Sequence, residues 1–175
     1  MYQPHFWQRS IGWLCSGLLI LLLTWAMAPA TALAIAGVDN YVIQYLKVTD
    51  TVELPLNARG ETKTFTAVDL TRGKRLFEEN CKNCHVGGST LPNPLVSLSL
   101  KDLKGATPPR DTIASLVAFQ RSPRSYDGSQ ESYSCRRVSE DWLTTEQLET
   151  LAAFILRAAA VAPGWGVESF PDSAP

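Results

Sequence analysis

The feature that most restricts this chain is a run of five residues, Cys81-Lys82-Asn83-Cys84-His85. Two thiols three positions apart, followed at once by an imidazole, match C-x-x-C-H. In that pattern both thiols add to haem vinyl groups and the adjacent imidazole reaches the iron from one face. The run predicts one covalently bound haem c on Cys81 and Cys84, with His85 as the proximal axial ligand.

Two other chemistries fit less well. A structural zinc site takes four nitrogen or sulfur ligands, and beyond Ala34 the chain offers only Cys135 in addition to these three. A redox dithiol has no need of His85.

The segment from Met1 to Ala34 differs from the rest, because Arg9 is its only charged residue and an apolar run from Ile11 to Met27 follows it. This predicts a signal peptide over 1–34, cut after the small-residue site Ala32-Leu33-Ala34. An uncleaved anchor is the alternative, since the uncharged stretch from Ser10 to Val38 is long enough for a bilayer core of about 30 Å. Cys15 precedes the apolar core, which argues against a lipoprotein, and cleavage discards it.

Cleavage leaves the segment 35–175, the size of a single domain. It removes Arg9 and no acid, so the formal net charge moves from −1 to −2. A near-neutral chain with no basic patch and no interleaved aromatics is not built to hold nucleic acid. Three cysteines remain in a compartment where unpaired thiols oxidise, and their odd number requires a role for the third.

Hydrophobic spacing predicts a mostly α protein with one short hairpin. Val52, Leu54 and Leu56, a turn at Asn57-Ala58-Arg59-Gly60, and alternating Thr62, Thr64 and Thr66 read as a β-hairpin from Thr51 to Phe65. Asp69 to Asn80 reads as a helix whose apolar face carries Leu70, the Lys74 stem, Leu76 and Phe77. A glycine inside that helix costs about 0.5–1 kcal/mol against alanine, so Gly73 is expected at a close helix contact.

Beyond the motif, Gly87-Gly88 ends the helical turn, and Leu91-Pro92-Asn93-Pro94-Leu95 is expected to wall the proximal side. Pro108-Pro109 stops any preceding helix, with Asp111 the expected cap of a new one over 111–120. Thr144 and Gln147 form a capping-box pattern ahead of Leu148, Leu151, Ala152, Ile155 and Ala159 at helical spacing. Phe154 and Ile155 of that helix are expected over Gly73 and Phe77.

Several segments together carry a family resemblance: Leu54-Pro55-Leu56-Asn57, Gly73-Lys74-Arg75-Leu76-Phe77, C-x-x-C-H with Val86-Gly87-Gly88, Thr107-Pro108-Pro109-Arg110-Asp111, and Tyr126-Asp127-Gly128. From about Val52 to Ala160 the chain resembles cytochrome c-550, the extrinsic haem subunit on the lumenal side of cyanobacterial and some algal photosystem II. The resemblance implies a class I cytochrome c fold with a short N-terminal β-hairpin, a low reduction potential and support of the oxygen-evolving complex. It places the protein in the thylakoid lumen rather than the periplasm, attached peripherally through protein. Its implied partners are the lumenal face of photosystem II or a soluble redox protein. The haem, not a catalytic side chain, would carry the redox chemistry.

The chain departs from that family at the distal ligand, which in cytochrome c-550 is a second histidine. Beyond Ala34, His85 is the sole histidine and methionine is absent, so both of the commonest distal ligands are missing. Cys135, fifty residues beyond His85, falls close to the family's distal position and is the preferred sixth ligand. A thiolate stabilises ferric iron and should lower the potential further, with Arg136 and Arg137 expected to favour the thiolate or to pair with propionates. The alternative is a free or intermolecularly bonded Cys135, with the iron five-coordinate or bound by Tyr133, a lysine or water. The tail after Gly164-Trp165-Gly166, from Val167 to Pro171, also differs from the family's.

Two rival functions accompany the electron-transfer reading. One is a structural cap in which haem only staples the fold. The other is a haem sensor or peroxidase-like protein, which needs an exchangeable sixth site and a distal acid–base group; no distal histidine is available for that role.

Overall fold

The computed structural model describes residues 37–90 and 96–166. The expected signal peptide and its cut after Ala34, the loop 91–95 and the tail 167–171 lie outside the described residues. From Val38 onward the described residues belong to one compact unit. None of their helices is long and apolar enough to cross a membrane.

The described elements are α1 (Asn40–Gln44), β1 (Thr51–Pro55), β2 (Thr62–Thr66), α2 (Ala67–Asn80), a 3-10 turn (Val86–Gly88), α3 (Leu100–Gly105), α4 (Ile113–Arg121) and α5 (Thr145–Val161). The described residues are thus mostly helical with one two-stranded sheet.

The hairpin forms as its alternation predicts. Val52 pairs with Phe65 and Leu54 with Lys63 in antiparallel register. A period of two then puts these four side chains on one face, where Leu54 and Phe65 are buried. The turn closes through Leu56 N–H to the Glu61 carbonyl (2.7 Å), and Gly60 takes the left-handed φ of 85° that such a reversal needs. Lys63 ties the sheet to α5 through Glu149 at 2.6 Å.

α2 starts two residues before the expected Asp69. Thr66 is its N-cap, and Asp69 is the third helical residue, returning the capping-box bond to the Thr66 N–H at 2.9 Å. α4, by contrast, begins later than expected. Thr112, not Asp111, caps it, reciprocally with Ser115. α5 is capped by Thr144 and Gln147, as the sequence pattern indicates.

α5 is the spine of the core, with Leu148, Leu151, Ala152, Ala153, Phe154, Ile155, Leu156 and Ala158 all buried. Each large apolar side chain so buried stabilises the fold by about 1.5–3 kcal/mol. α2 crosses it at Gly73, where an added Cβ would lie 2.0 Å from the Thr150 carbonyl oxygen and 2.9 Å from Phe154 Cβ. Phe154 also meets Phe77, with ring centroids 5.4 Å apart. The close contact expected at Gly73 is therefore real, and its nearest neighbours are Thr150 and Phe154.

Two short helices, α1 and α3, carry no periodic signal of their own. Each is fixed by a cap: Asp39 accepts from the Tyr41 N–H at 2.7 Å, and Ser99 from the Asp102 N–H at 3.1 Å. Asp39 also joins α1 to α2, through its own N–H to Thr71 Oγ1 (3.0 Å) and an ion pair with Lys74 (3.0 Å).

Candidate haem site

The C-x-x-C-H run continues directly from α2. As the helix ends, the N–H groups of Cys81 and Lys82 both return to the Phe77 carbonyl, at 2.8 and 2.9 Å. Those of Cys84 and His85 then turn back to the Cys81 carbonyl, at 3.1 and 3.0 Å. The coil after Asn80 thereby holds both thiols and the imidazole on one tight loop at the mouth of a cleft.

The two glycines that follow are required by geometry. Gly87 and Gly88 have φ of 58° and 80°, and at Gly88 a Cβ would meet the Trp165 ring at 2.6 Å. Trp165 donates from Nε1 to the Leu98 carbonyl at 3.0 Å, while the Gly166 N–H bonds the Gly87 carbonyl at 2.8 Å. Trp165 also packs on Phe77 and Phe154, at 5.3 and 5.6 Å between centroids. The end of the described chain thus clamps the turn beneath His85.

The cleft is lined by Cys84, His85 and Cys135, with Leu98, Leu103, Leu116 and Phe119 among its apolar walls. Sequence segments far apart along the chain are therefore brought to one place. Cys135 acts electrostatically on Cys81, and Cys84 on Cys135. The Cys135 N–H reaches Ser132 Oγ at 3.3 Å. Burial pushes the Cys81 thiol up to about 12, with the neighbouring Cys135 and Cys84 adding to it. Burial likewise raises the Cys135 thiol and lowers the half-buried His85 imidazole, so neutral imidazole, the metal-binding form, is favoured.

The cation acting on Cys135 is Arg110, not the expected Arg136 or Arg137. Both of those are outside the cleft lining, and Arg136 stacks on Trp142 at 4.8 Å. Arg110 instead lies 4.0 Å over the Phe119 ring and donates to the carbonyls of Arg124 (3.1 Å) and Ser125 (2.7 Å). Burial lowers its own pKa, while Cys135 and Tyr126 oppose that. Tyr133 is 93% exposed, and it is not among the residues lining the cleft, which removes it from that wall.

Arg110 also explains why two distant sequence motifs occur together. The Thr107 N–H bonds the Tyr126 carbonyl at 2.8 Å, and Gly128, at φ 76°, lies so close that a Cβ there would be 2.3 Å from the Thr107 oxygen. Thr107-Pro108-Pro109-Arg110-Asp111 and Tyr126-Asp127-Gly128 are one packed unit beside the cleft.

Among the described residues no group of three or more His, Cys, Asp or Glu side chains is arranged to hold a metal ion by itself. A paired thiol motif, a neutral imidazole and a further thiol around an apolar slot suit a metal that arrives in a flat apolar ligand, as in haem. Fold and cleft together suit a small c-type cytochrome.

Comparison with known proteins narrows this further. A family model, the cytochrome c-550 domain, matches residues 39–172, and the chain belongs to the cytochrome c-550 family. It is 95% identical over 175 residues to the cytochrome c-550-like protein of Thermosynechococcus vestitus, covering 100% of both chains. Photosystem II extrinsic protein V of Gloeobacter violaceus is 53% identical over 128 residues, 73% of this chain and 69% of that one. The crystal structure of the PsbV2 cytochrome from Thermosynechococcus elongatus superposes with a TM-score of 0.74 at 97% identity, over 75% of this chain and 100% of that one. Cytochrome c549 gives a TM-score of 0.57 at 34% identity, over 65% and 95%. As a member of this family the chain carries a covalently bound haem c.

Proposed function

We propose that this protein is a lumenal monohaem cytochrome of class I fold that transfers electrons at low potential, serves photosystem II as an auxiliary subunit, or does both. The observation that carries the reading is that Cys84, His85 and Cys135 line one apolar cleft. Residues 1–34 export the chain and 35–175 form its single domain. The mature protein attaches peripherally to the thylakoid membrane through photosystem II or meets a soluble redox partner there. The name of the Gloeobacter violaceus relative supports this placement.

Cys81 and Cys84 would fasten the haem, and His85 and Cys135 would supply ligands to its iron. When bound, the haem supplies a one-electron couple. The chain's own part is to hold His85 neutral, to exclude water with Leu103, Leu116 and Phe119, and to set the Arg110 charge beside Cys135. A thiolate from Cys135 would favour ferric iron and keep the potential low. No side chain in the cleft is a distal histidine, so a peroxidase-like role ranks behind electron transfer.

Ferric and ferrous spectra, with and without carbon monoxide, on the wild type and Cys135→Ser test the ligand set. The expected result is a changed ferric spectrum in the variant. An unchanged one removes Cys135 as ligand.

A further inference from the structure

The hydrogen-bond partner of a metal-bound imidazole fixes its tautomer, ring plane and donor strength. In this chain a side-chain hydroxyl stands at hydrogen-bond distance from the ring. We propose that Thr90 is a positioning residue for the proximal imidazole, its hydroxyl accepting from His85 Nδ1–H and relaying that bond to the Val96 carbonyl. The inference rests on the reading of His85 as the iron ligand and goes beyond it.

The donor count decides the direction. Thr90 Oγ1 lies 3.1 Å from His85 Nδ1. The same hydroxyl donates to the Val96 carbonyl oxygen, which can only accept. A threonine hydroxyl has one proton and two lone pairs. With its proton committed to Val96, it has only lone pairs to offer Nδ1, so Nδ1 carries the ring proton. Nε2 is then the unprotonated nitrogen, free to meet a metal.

Two features of the chain make the relay rigid. Val96 is held next to Leu98, whose N–H bonds the Gly88 carbonyl at 2.6 Å and whose carbonyl takes the Trp165 indole N–H. Ser97, between them, is buried and locked to Asp102 by both its N–H (3.1 Å) and its hydroxyl (2.6 Å). The acceptor at the end of the relay is therefore anchored to α3 and to the clamp under the haem motif.

A polarised Nδ1–H makes the imidazole a stronger donor and stabilises ferric iron. Thr90→Val keeps the shape and removes the hydroxyl. Loss of such an outer partner is worth about tenfold at the low end. Here that is a tenfold rise in the ferrous-to-ferric ratio at fixed ambient potential, an upward shift of ~59 mV for one electron.

The test uses the full, haem-loaded protein with 15N-labelled histidine. In the wild type, a hyperfine-shifted His85 Nδ1–H should exchange slowly with solvent and show a nuclear Overhauser contact to the Thr90 methyl. Thr90→Val should speed that exchange and raise the potential, and Thr90→Ser should restore both. A Val variant with wild-type exchange and potential overturns the proposal. So does a wild-type Nδ1–H with no contact to Thr90, a result that stands even if the Val variant fails to load haem. A structural role alone, closing the loop between Thr90 and Val96, would lower stability without moving the potential, and that outcome also overturns it. Absence of any hyperfine-shifted imidazole would instead remove His85 as ligand, a distinct failure of the underlying reading.

Discussion

Replacing Gly73 by alanine should destabilise the protein even though alanine is the better helix former. In an isolated helix the change gains about 0.8–1 kcal/mol. Here the new Cβ would stand 2.0 Å from the Thr150 carbonyl oxygen and 2.7 Å from its carbon. An ordinary contact begins at 3.4 Å, so α2 and α5 would have to separate by more than the length of a hydrogen-to-carbon bond. The obstruction is backbone, which cannot swing aside as a side-chain tip would. Overpacking of this kind costs about 1–3 kcal/mol, and a backbone collision belongs at the upper end. Subtracting the helical gain leaves a net loss of about 2 kcal/mol. Urea unfolding of the haem-loaded protein, followed by far-ultraviolet circular dichroism and Soret absorbance, would read it as a lowered midpoint with unchanged slope. Gly37→Ala is the control, since nothing lies within 4 Å of its Cβ position. A Gly73→Ala protein as stable as wild type, or more so, would refute the reasoning.

Other outcomes follow from the same coordinates. Trp165→Ala strips the aromatic packing on Phe77 and Phe154 and the bond to Leu98, and should cost about 3 kcal/mol by chemical denaturation; a loss under ~0.5 kcal/mol would contradict the clamp. Asp39 gives a pH signature: burial pushes its carboxyl up, but hydrogen bonds from Lys74 and the Tyr41 N–H outweigh this and hold it below its ordinary 3.8. A depressed folded pKa contributes stability that is present above the unfolded value and is lost as pH falls below about 3.8. Asp39→Asn should therefore flatten the acid limb of the stability–pH curve measured by thermal melts, and a limb of unchanged slope would argue against it.

What is legible in the sequence is whatever carries a local signal. The hairpin has strict alternation and a glycine turn, α5 has a capping box and an apolar stripe, and the haem motif is a contiguous pattern. The starts of α2 and α4 differ from expectation because the sequence pattern begins the helix at Asp69 in one case and makes Asp111 the cap in the other. The true caps, Thr66 and Thr112, are ordinary threonines whose role depends on the residue three positions later. α1 and α3 are five and six residues long, too short for periodicity to register.

The site divides in the same way. Cys81, Cys84 and His85 are contiguous, and the odd cysteine count singles out Cys135. Arg110 escapes sequence reasoning as its cation because the two are distant along the chain, while Arg136 and Arg137 adjoin Cys135. Adjacency loses to burial: the neighbouring arginines face solvent, and Arg110 lies on Phe119 beside the cleft. Thr90 carries no sequence signal at all, because its role depends on the Val96 carbonyl that receives its proton.

The most direct measurement is the mass of the proteolytic peptide that contains Cys81 and Cys84, taken after acid–acetone extraction of the protein from its native source. Attachment through both thiols predicts that peptide at its sequence mass plus one haem, with Cys135 recovered unmodified on a different peptide. Recovery of Cys81 and Cys84 as free thiols, with all the haem in the extract, would contradict it.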